Sequence, residues 1–259
     1  MRVLHYLALI WLVLLASLTF SAPWLPLASF EEMDFFNEAQ FPNESNWLGT
    51  DGMGRDMLSR VVHGAQVSLA VAITSPLIGL LVGGGLGLLA GYFRGWLEQL
   101  ALVIMDTMLA FPALIFALLA VTYLGPSLVN VILVMGVLSI PAFARVVRGQ
   151  VLLIVNLEYV TAAKALGVNH SQILMRHVIP NIFPAVASFF LTVMATMVVA
   201  EGALGFLGLS VPPPQPSWGS MIAEGREYLE DAPHISVIPS MAIFLTLLSL
   251  NLIKEKQET

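Results

Sequence analysis

The chain has 259 residues, of which 58% are hydrophobic and only 11% are charged, and its mean hydropathy is +0.85. Soluble globular domains carry about 25% charged residues, so this composition excludes a soluble domain and predicts a protein integral to a membrane. The absence of cysteine excludes a disulfide framework and a thiolate metal site. Nothing in the net charge of −6 leads us to expect a nucleic-acid partner.

Six apolar stretches follow one another along the chain, and each is about long enough to cross a bilayer core of ~30 Å as a helix rising ~1.5 Å per residue. They are residues 3–20, 65–92, 97–123, 127–147, 180–209 and 234–253, and we expect Asp106 and Pro112 to interrupt the third. A cleaved signal peptide is the alternative for the first stretch, but Pro23 follows a poor cleavage site there, so we expect a retained helix. The sequence therefore predicts an all-α integral membrane protein with six transmembrane helices.

Polar segments divide the chain into three parts. Residues 1–64 are expected to hold the first transmembrane helix and an acid-rich outer loop, and residues 65–253 a five-helix core. Within that core, residues 148–180 form a charged loop, and residues 210–233 are expected to form a proline-rich polar loop. The prolines forbid helix over positions 212–216. The last six residues, 254–259, are expected to form a short cytoplasmic tail.

The basic residues predict the orientation of the chain. Eight of the 11 Lys and Arg would lie on the side of the N-terminus, and three would lie on the opposite side. The first group is Arg2, Arg94, Arg145, Arg148, Lys164, Arg176, Lys254 and Lys256, and the second is Arg55, Arg60 and Arg226. Because basic residues are enriched in cytoplasmic loops, this distribution predicts that both termini and residues 158–180 are cytoplasmic.

Residues 158–180 predict two short helices joined by a glycine turn. Good helix formers occupy positions 158–166, and Gly167 can take the left-handed conformation of a C-cap. Asn169 or Ser171 can then cap a second helix that runs toward position 180. The unit has too little apolar area to stand alone and must rest on a partner surface.

Six residues of this unit carry a resemblance to a known family, namely Glu158, Ala162, Ala163, Gly167, Ile179 and Pro180. Their pattern resembles the EAA loop of ABC-importer permeases, E-x3-A-A-x3-G followed by I-P. The resemblance implies that the first helix is a coupling helix, seated in a groove of a separate ATP-binding subunit. The alternative is an ordinary cytoplasmic loop that packs on its own helix bundle.

A second resemblance lies in residues 48–60, which match the L-G-T-D-x-x-G-R-D-x-x-S-R pattern of the dipeptide, oligopeptide and nickel branch of these permeases. Beyond the first leucine, the matching residues are Gly49, Thr50, Asp51, Gly54, Arg55, Asp56, Ser59 and Arg60. The spacing of four predicts the ion pairs Asp51–Arg55 and Asp56–Arg60 on a helix. We expect these charges to hold the segment at the membrane surface, without contact to substrate.

A third segment, residues 201–219, resembles the same branch's E-x-x-L-x-F-L-G-L-G-x-x-P-P-x-P-x-W-G, with Ser210 in place of a glycine. After residue 252 the chain departs from the family pattern. The resemblance implies a permease subunit of an ATP-driven ABC importer for peptides or nickel, in the bacterial inner membrane. It also implies as partners a second homologous permease, two ATP-binding subunits and an extracytoplasmic substrate-binding protein.

No enzyme site is evident in the sequence. It holds neither a G-x-x-x-x-G-K-[ST] phosphate loop nor a G-x-S-x-G nucleophile elbow. We therefore expect no catalytic residues and no cofactor bound by this chain, with ATP used by the partner subunits. The five histidines are scattered, with no pair at metal-ligand spacing, so we expect no metal site.

Two acids, Asp106 and Glu201, fall within predicted spans, where an ionisable residue is by default a functional candidate. They suggest an alternative function, an ion-coupled secondary transporter. A membrane scaffold without a pathway is a further alternative. We expect instead that both acids face the bundle interior and form hydrogen bonds to neighbouring helices. Arg94, Arg145 and Arg148 are expected to be anchors at the membrane edge.

Overall fold

The computed structural model describes the backbone of residues 2–258 and the side chains of residues 3–255. Within that part of the chain there are helices and no strands, so the prediction of an all-α protein is confirmed. The α-helices are α1 (Arg2–Ser21), α2 (Met57–Gly79), α3 (Gly85–Phe93), α4 (Trp96–Leu109), α5 (Ala113–Leu124), α6 (Leu128–Val155), α7 (Glu158–Ala165), α8 (His170–Ile173), α9 (Ile179–Phe206), α10 (Trp218–Gly225) and α11 (His234–Glu258).

Two π-helical turns join short helices into long ones. The turn Leu80–Gly84 makes α2 and α3 one helix of 37 residues, and the turn Leu174–Val178 does the same for α8 and α9. The second span therefore begins at Met57 and not near position 65. Pro180 does not end a helix either, because it lies in the first turn of α9. The π turn directly before it already interrupts the regular backbone hydrogen bonds, so the missing N–H of the proline is tolerated there.

The third predicted span is broken. Helices α4 and α5 meet at an angle of 79° around residues 110–112. Pro112 stands before the first residue of α5, so the break follows from its restricted backbone and missing N–H. Asp106, which we expected to interrupt the span, lies inside α4. The proline alone therefore marks the break.

The packing of α2 and α3 against α6 shows that the broken pair crosses the bundle once. A Cβ at Gly79 would overlap Ser139, one at Gly83 would overlap Ile140, and one at Gly87 would overlap Ala144. The two long helices thus run in the same direction in close contact. The chain between them must return to its starting side, which α4 and α5 achieve together. The described residues therefore hold six crossings.

The ends of the helices define two faces of the bundle. At the α7 face, Arg94 after α3 donates a hydrogen bond of 2.9 Å to Asn156 after α6. At the opposite end, which we call the loop face, lie residues 22–56 and α10. Helix α1 ends at the loop face, where Gln66 donates to the carbonyl oxygen of Thr19 (3.0 Å). Helix α11 begins there, so the first and last residues that the structure describes lie on the side of α7.

The core lies between α2, α5, α6 and α9. Buried side chains from all four helices form one cluster there, which includes Val71, Val121, Phe143 and Val193. A second buried cluster lies nearer the α7 face and joins α6 to α9. Helix α1 is peripheral and rests on α11, where the indole of Trp11 donates to Thr246 (3.3 Å). The six-helix frame thus holds two separate groups of motif residues, one at each face.

Candidate functional site

The helix at the α7 face ends as the sequence predicts. Gly167 has a φ of +77° and follows Leu166, the C-cap residue of α7. Its N–H donates to the carbonyl oxygen of Lys164 (3.0 Å), and the N–H of Val168 donates to that of Ala163 (3.1 Å). This pair of bonds is a Schellman motif. No atom would lie within 4 Å of an added Cβ, so the backbone conformation alone requires glycine.

The second helix of this unit is longer than predicted. The side chain of Asn169 accepts a hydrogen bond from the N–H of Ser171 (3.3 Å), so Asn169 and not Ser171 is the N-cap. From there the helix continues through Ile179 and Pro180 to Phe206. Helix α7 is therefore attached on one side to α6 and on the other to a helix of 37 residues.

Helix α7 is anchored at one point and is otherwise open. Val160 is its single buried side chain and belongs to the cluster with Ile173 and Val178. Glu158 and Ala162 are exposed, and Ala163 is half-buried. Large exposed apolar side chains surround them, namely Leu157, Tyr159, Leu166 and Met175. An exposed apolar patch with a charge at its centre is typical of a protein interaction surface.

The second motif forms an ion cluster at the loop face. Asp51 accepts from Arg55 Nε at 2.7 Å and lies 3.2 Å from Arg60 Nε. Both arginines also donate to Glu224 of α10, at 2.7 and 2.8 Å. The predicted Asp51–Arg55 pair forms, but in a turn before α2 and not on a helix, and the predicted Asp56–Arg60 pair is wrong. Asp56 instead caps α2 by accepting from the N–H of Ser59 (2.7 Å).

This cluster is buried and does not form a charged surface. Asp51, Arg55 and Arg60 are 1%, 4% and 1% exposed, whereas the side chain of Glu224 is 37% exposed. Two acids and two arginines leave no net charge inside. Because α10 covers these charges, they form no exposed charged surface. Our expectation that they hold the segment at the membrane surface stays a prediction. Their partner Glu224 is 164 residues beyond Arg60 along the chain.

Backbone contacts complete the attachment of this segment. Gly49 and Gly54 have φ values of +77° and +73°, and a Cβ at Gly54 would overlap the backbone of Asp34. The hydroxyl of Thr50 accepts from the N–H of Gln40 (2.9 Å). Ser59 donates to the carbonyl oxygen of Ala28 at 2.7 Å. The motif therefore folds residues 28–56 onto the start of α2.

Tyr228 links the same loop to the segment after α10. Its hydroxyl donates to Glu38 Oε1 at 3.0 Å. This hydrogen bond raises the pKa of the Tyr228 hydroxyl above its ordinary value of 10.0, because ionisation would remove the donor and place two negative charges together. The loop is thus connected to α10 and its flanking residues by ion pairs and by a hydrogen bond from a tyrosine hydroxyl to a carboxylate.

Glu201 faces the bundle interior and is hydrogen-bonded, as we expected. It is 0% exposed, and it accepts hydrogen bonds of 2.7 Å from Ser68 on α2 and from Ser210 after α9. Ser210 stands where the resembling family usually has glycine, and its hydroxyl here satisfies one oxygen of the buried carboxyl group. The indole of Trp218 donates to the carbonyl oxygen of Val61 (3.1 Å), which brings the third motif onto α2 as well.

Asp106 does not face the bundle interior. Its side chain is 61% exposed and forms an ion pair with Arg145 on α6, whose side chain is 50% exposed. Nearby, Arg148 Nε donates to Glu98 on α4 at 2.9 Å. These two arginines therefore join α4 to α6, and their predicted role as simple anchors at the membrane edge is incomplete.

Helix α10 and its residue Glu224, which completes the ion cluster, were not predicted from the sequence. We expected a polar loop over residues 210–233, but Trp218–Gly225 is helical. Ser217 and Ser220 cap each other's backbone at its start, which is the signal that would have revealed the helix. Close packing against α9 requires Gly219, since a Cβ there would overlap Gly202. No helix forms over positions 212–216, as the prolines predict.

Comparisons with known proteins identify the family. The family model "Binding-protein-dependent transport system inner membrane component" matches residues 83–255. The glutathione transport system permease protein GsiD of Pectobacterium atrosepticum is 38% identical over 245 residues, which cover 94% of this chain and 81% of that protein. GsiD of Escherichia coli O157:H7 is 39% identical over 247 residues, covering 95% and 82% of the two chains.

A solved structure shares the fold. A chain of the MetNI methionine ABC transporter, in an inward-facing conformation, superposes with a TM-score of 0.63 over 77% of this chain and 95% of its own. Its sequence identity of 19% supports the fold alone. The match to the family model and the long alignments with GsiD show the family as well as the fold. The chain therefore belongs to the binding-protein-dependent transport system inner membrane components, and it is a permease subunit of an ABC importer of the peptide and nickel branch.

Proposed function

We propose that this permease subunit carries small peptides into the cytoplasm and is driven by a separate ATP-binding subunit that contacts α7. The observation that carries this proposal is the position of α7 between two long helices. Helix α6 has 28 residues, a length of about 42 Å, and the helix that follows Asn169 has 37. A displacement of α7 would tilt both.

The surface of α7 is suited to such a contact. Its exposed leucines and Tyr159 offer apolar area, and Glu158 adds a charge that a basic side chain of the partner can meet. Closure of the nucleotide-bound subunits would push on this surface and open the pathway toward the loop face. Hydrolysis would then reset it. The chain carries no phosphate loop, so the ATP belongs to its partners.

The remaining partners follow from the same architecture. A second, similar permease would complete the pathway, and a binding protein would deliver substrate to the loop face. The eight-to-three distribution of basic residues supports a cytoplasmic position for the α7 face and both termini.

Peptides are the substrate class that the comparisons favour. The GsiD relatives are named for the transport of glutathione, which is a small peptide. Among the residues that the structure describes, no group of three or more His, Asp or Glu side chains could hold a metal ion, so no observation favours nickel. Asp106 and Glu201 are paired or hydrogen-bonded to other residues of this chain, and an ion-coupled mechanism has no observation of its own in its favour.

Replacement of Gly167 by valine tests the coupling. A β-branched residue at this left-handed position costs about 1–2 kcal/mol, which would misdirect α7 while the transmembrane helices still insert. We expect normal membrane levels, loss of the ATP-binding subunit on purification, and loss of transport. Gly125→Val is the matched control, since Gly125 has a φ of +87° and open space around it but lies at the loop face. Full retention of the ATPase by Gly167→Val would refute the proposal.

A further inference from the structure

The ion pair between Asp106 and Arg145 lies about three helical turns from the α7 ends of α4 and α6 and is exposed. Asp106 follows the start of α4 by ten residues, and Arg145 precedes the end of α6 by ten. At helical rise each lies about 15 Å from the α7 end of its helix. Their side chains are nevertheless 61% and 50% exposed. Ionised groups at such depth face water or protein and avoid lipid.

Polar groups continue from this pair across α6. Between α4 and α9, α6 leaves a strip of its surface open, with Arg145 at the α4 edge and Gln150 at the α9 edge. Gly149 lies on this strip, with no atom within 4 Å of an added Cβ. A cavity of about 500 Å³ borders the strip and is lined by Gln150, Ser188 and Thr192 among others. We call this region the α4–α6–α9 groove.

The groove is closed toward the loop face. Helix α5 turns away from α4 by 79°, and its residues Ala117 and Val121 are 0% exposed. They share a buried cluster with Val193 and Met197 of α9, so α5 packs into the space between α6 and α9. Among the described residues, no such cover lies over Arg145. The groove is therefore closed toward the loop face and open toward the α7 face.

We propose that the α4–α6–α9 groove lines the translocation pathway and binds a zwitterionic peptide at the Asp106–Arg145 pair. Asp106 would bind the substrate ammonium group, and Arg145 would bind the carboxylate, for which its planar guanidinium is suited. Because the substrate carries both charges, it can replace the internal pair without leaving either side chain uncompensated. This inference rests on the proposed function and adds the residues that contact the cargo.

Thiol labelling of the assembled transporter in membrane vesicles tests the environment of the groove. The chain has no cysteine, so Gly149→Cys introduces a single thiol without removing either charge. We expect a charged, membrane-impermeant methanethiosulfonate to modify it from the α7 side. The matched control is Ile10→Cys, a 62% exposed apolar position on peripheral α1, which should stay unmodified. Equal resistance of both positions would overturn the proposal, because the groove would then face lipid or a protein partner.

Substrate protection tests the binding residues. S-methylglutathione, which has no free thiol, should slow the labelling of Gly149→Cys. Loss of one charged hydrogen bond should raise the concentration for half-protection about tenfold in Asp106→Asn and in Arg145→Gln. The control is Glu98→Gln, which breaks the neighbouring and less exposed α4–α6 pair and should leave half-protection unchanged. If Glu98→Gln has the same effect as Asp106→Asn, the pair only joins the helices and the proposal fails.

A modified probe separates binding from a structural role. N-acetyl-S-methylglutathione lacks the ammonium group, so its concentration for half-protection of the Gly149→Cys thiol should be about tenfold higher than that of S-methylglutathione. Adding Asp106→Asn should raise this concentration no further. A further tenfold loss would exclude direct contact between Asp106 and the ammonium group. The wild-type complex is assayed in parallel for ATP-dependent uptake of glutathione. Absence of that uptake overturns the proposed function, whereas normal uptake with unchanged protection in Asp106→Asn overturns this inference alone.

Discussion

Replacement of Asp51 by asparagine would remove one charge from the ion cluster at the loop face. Asp51 is 1% exposed and accepts hydrogen bonds from the N–H groups of Met53 (2.8 Å) and Arg55 (3.0 Å) and from Arg55 Nε (2.7 Å). Asparagine keeps the size, and its Oδ1 can still accept from the two backbone N–H groups, but an NH2 group replaces the oxygen that accepts from Arg55 Nε. The change therefore removes the negative charge together with this one hydrogen bond.

The expected loss of stability follows from burial. Without Asp51, two arginines that are 4% and 1% exposed would share Glu224 as their single acid. Removing one member of a buried ion pair costs about 3–5 kcal/mol, because it leaves an uncompensated buried charge. Glu224→Gln is the matched control. Its side chain is 37% exposed, so water can replace part of the interaction, and we expect a cost of about 1 kcal/mol.

Unfolding of the purified permease in mixed detergent and dodecyl sulfate micelles would measure both effects. The double variant Asp51→Asn with Arg55→Gln removes one charge of each sign, so it should be more stable than Asp51→Asn alone. If Asp51→Asn destabilises no more than Glu224→Gln, or if the double variant is the least stable, the burial argument is refuted.

Two further predictions concern topology and the loop. Single cysteines at Asn46 and Gln215 should react with an impermeant reagent from outside the cell and one at Asn169 only from inside; external labelling at Asn169 would overturn the orientation. Gly54→Ala should destabilise the loop face, because Gly54 has a φ of +73° and its Cβ would overlap a backbone carbonyl, whereas Gly85→Ala, with open space and helical geometry, should be neutral. Equal melting temperatures for the two variants would contradict this.

Local features of the fold could be predicted well. The left-handed C-cap at Gly167 and the break before Pro112 are both present, because each depends on the backbone of one residue. The pair Asp51–Arg55 was predicted from the helical spacing of its partners, four residues apart, and it forms although this segment is a turn. Glu201 was predicted to be hydrogen-bonded, although its serine partners were not.

Contacts between distant segments could not be predicted. Arg60 pairs with Glu224 across 164 residues, and a helical spacing of four suggested the nearer Asp56 instead. The carboxylate of Asp56 does not pair with Arg60, because Asp56 stands directly before α2 and accepts a hydrogen bond from the N–H of Ser59 as the N-cap. The helical state of α10 was missed because prolines dominate the segment before it.

By itself, the sequence determined the membrane environment, the helical class and the number of spans, because each follows from composition or from the length of an apolar run. Only the tertiary structure decided that α6 runs parallel to α2 and α3 and that the loop-face charges are buried. It also decided that Asp106 is exposed beside Arg145. These properties depend on which helix faces meet. Several arrangements satisfy the same apolar pattern, and close packing at residues such as Gly83 selects one of them.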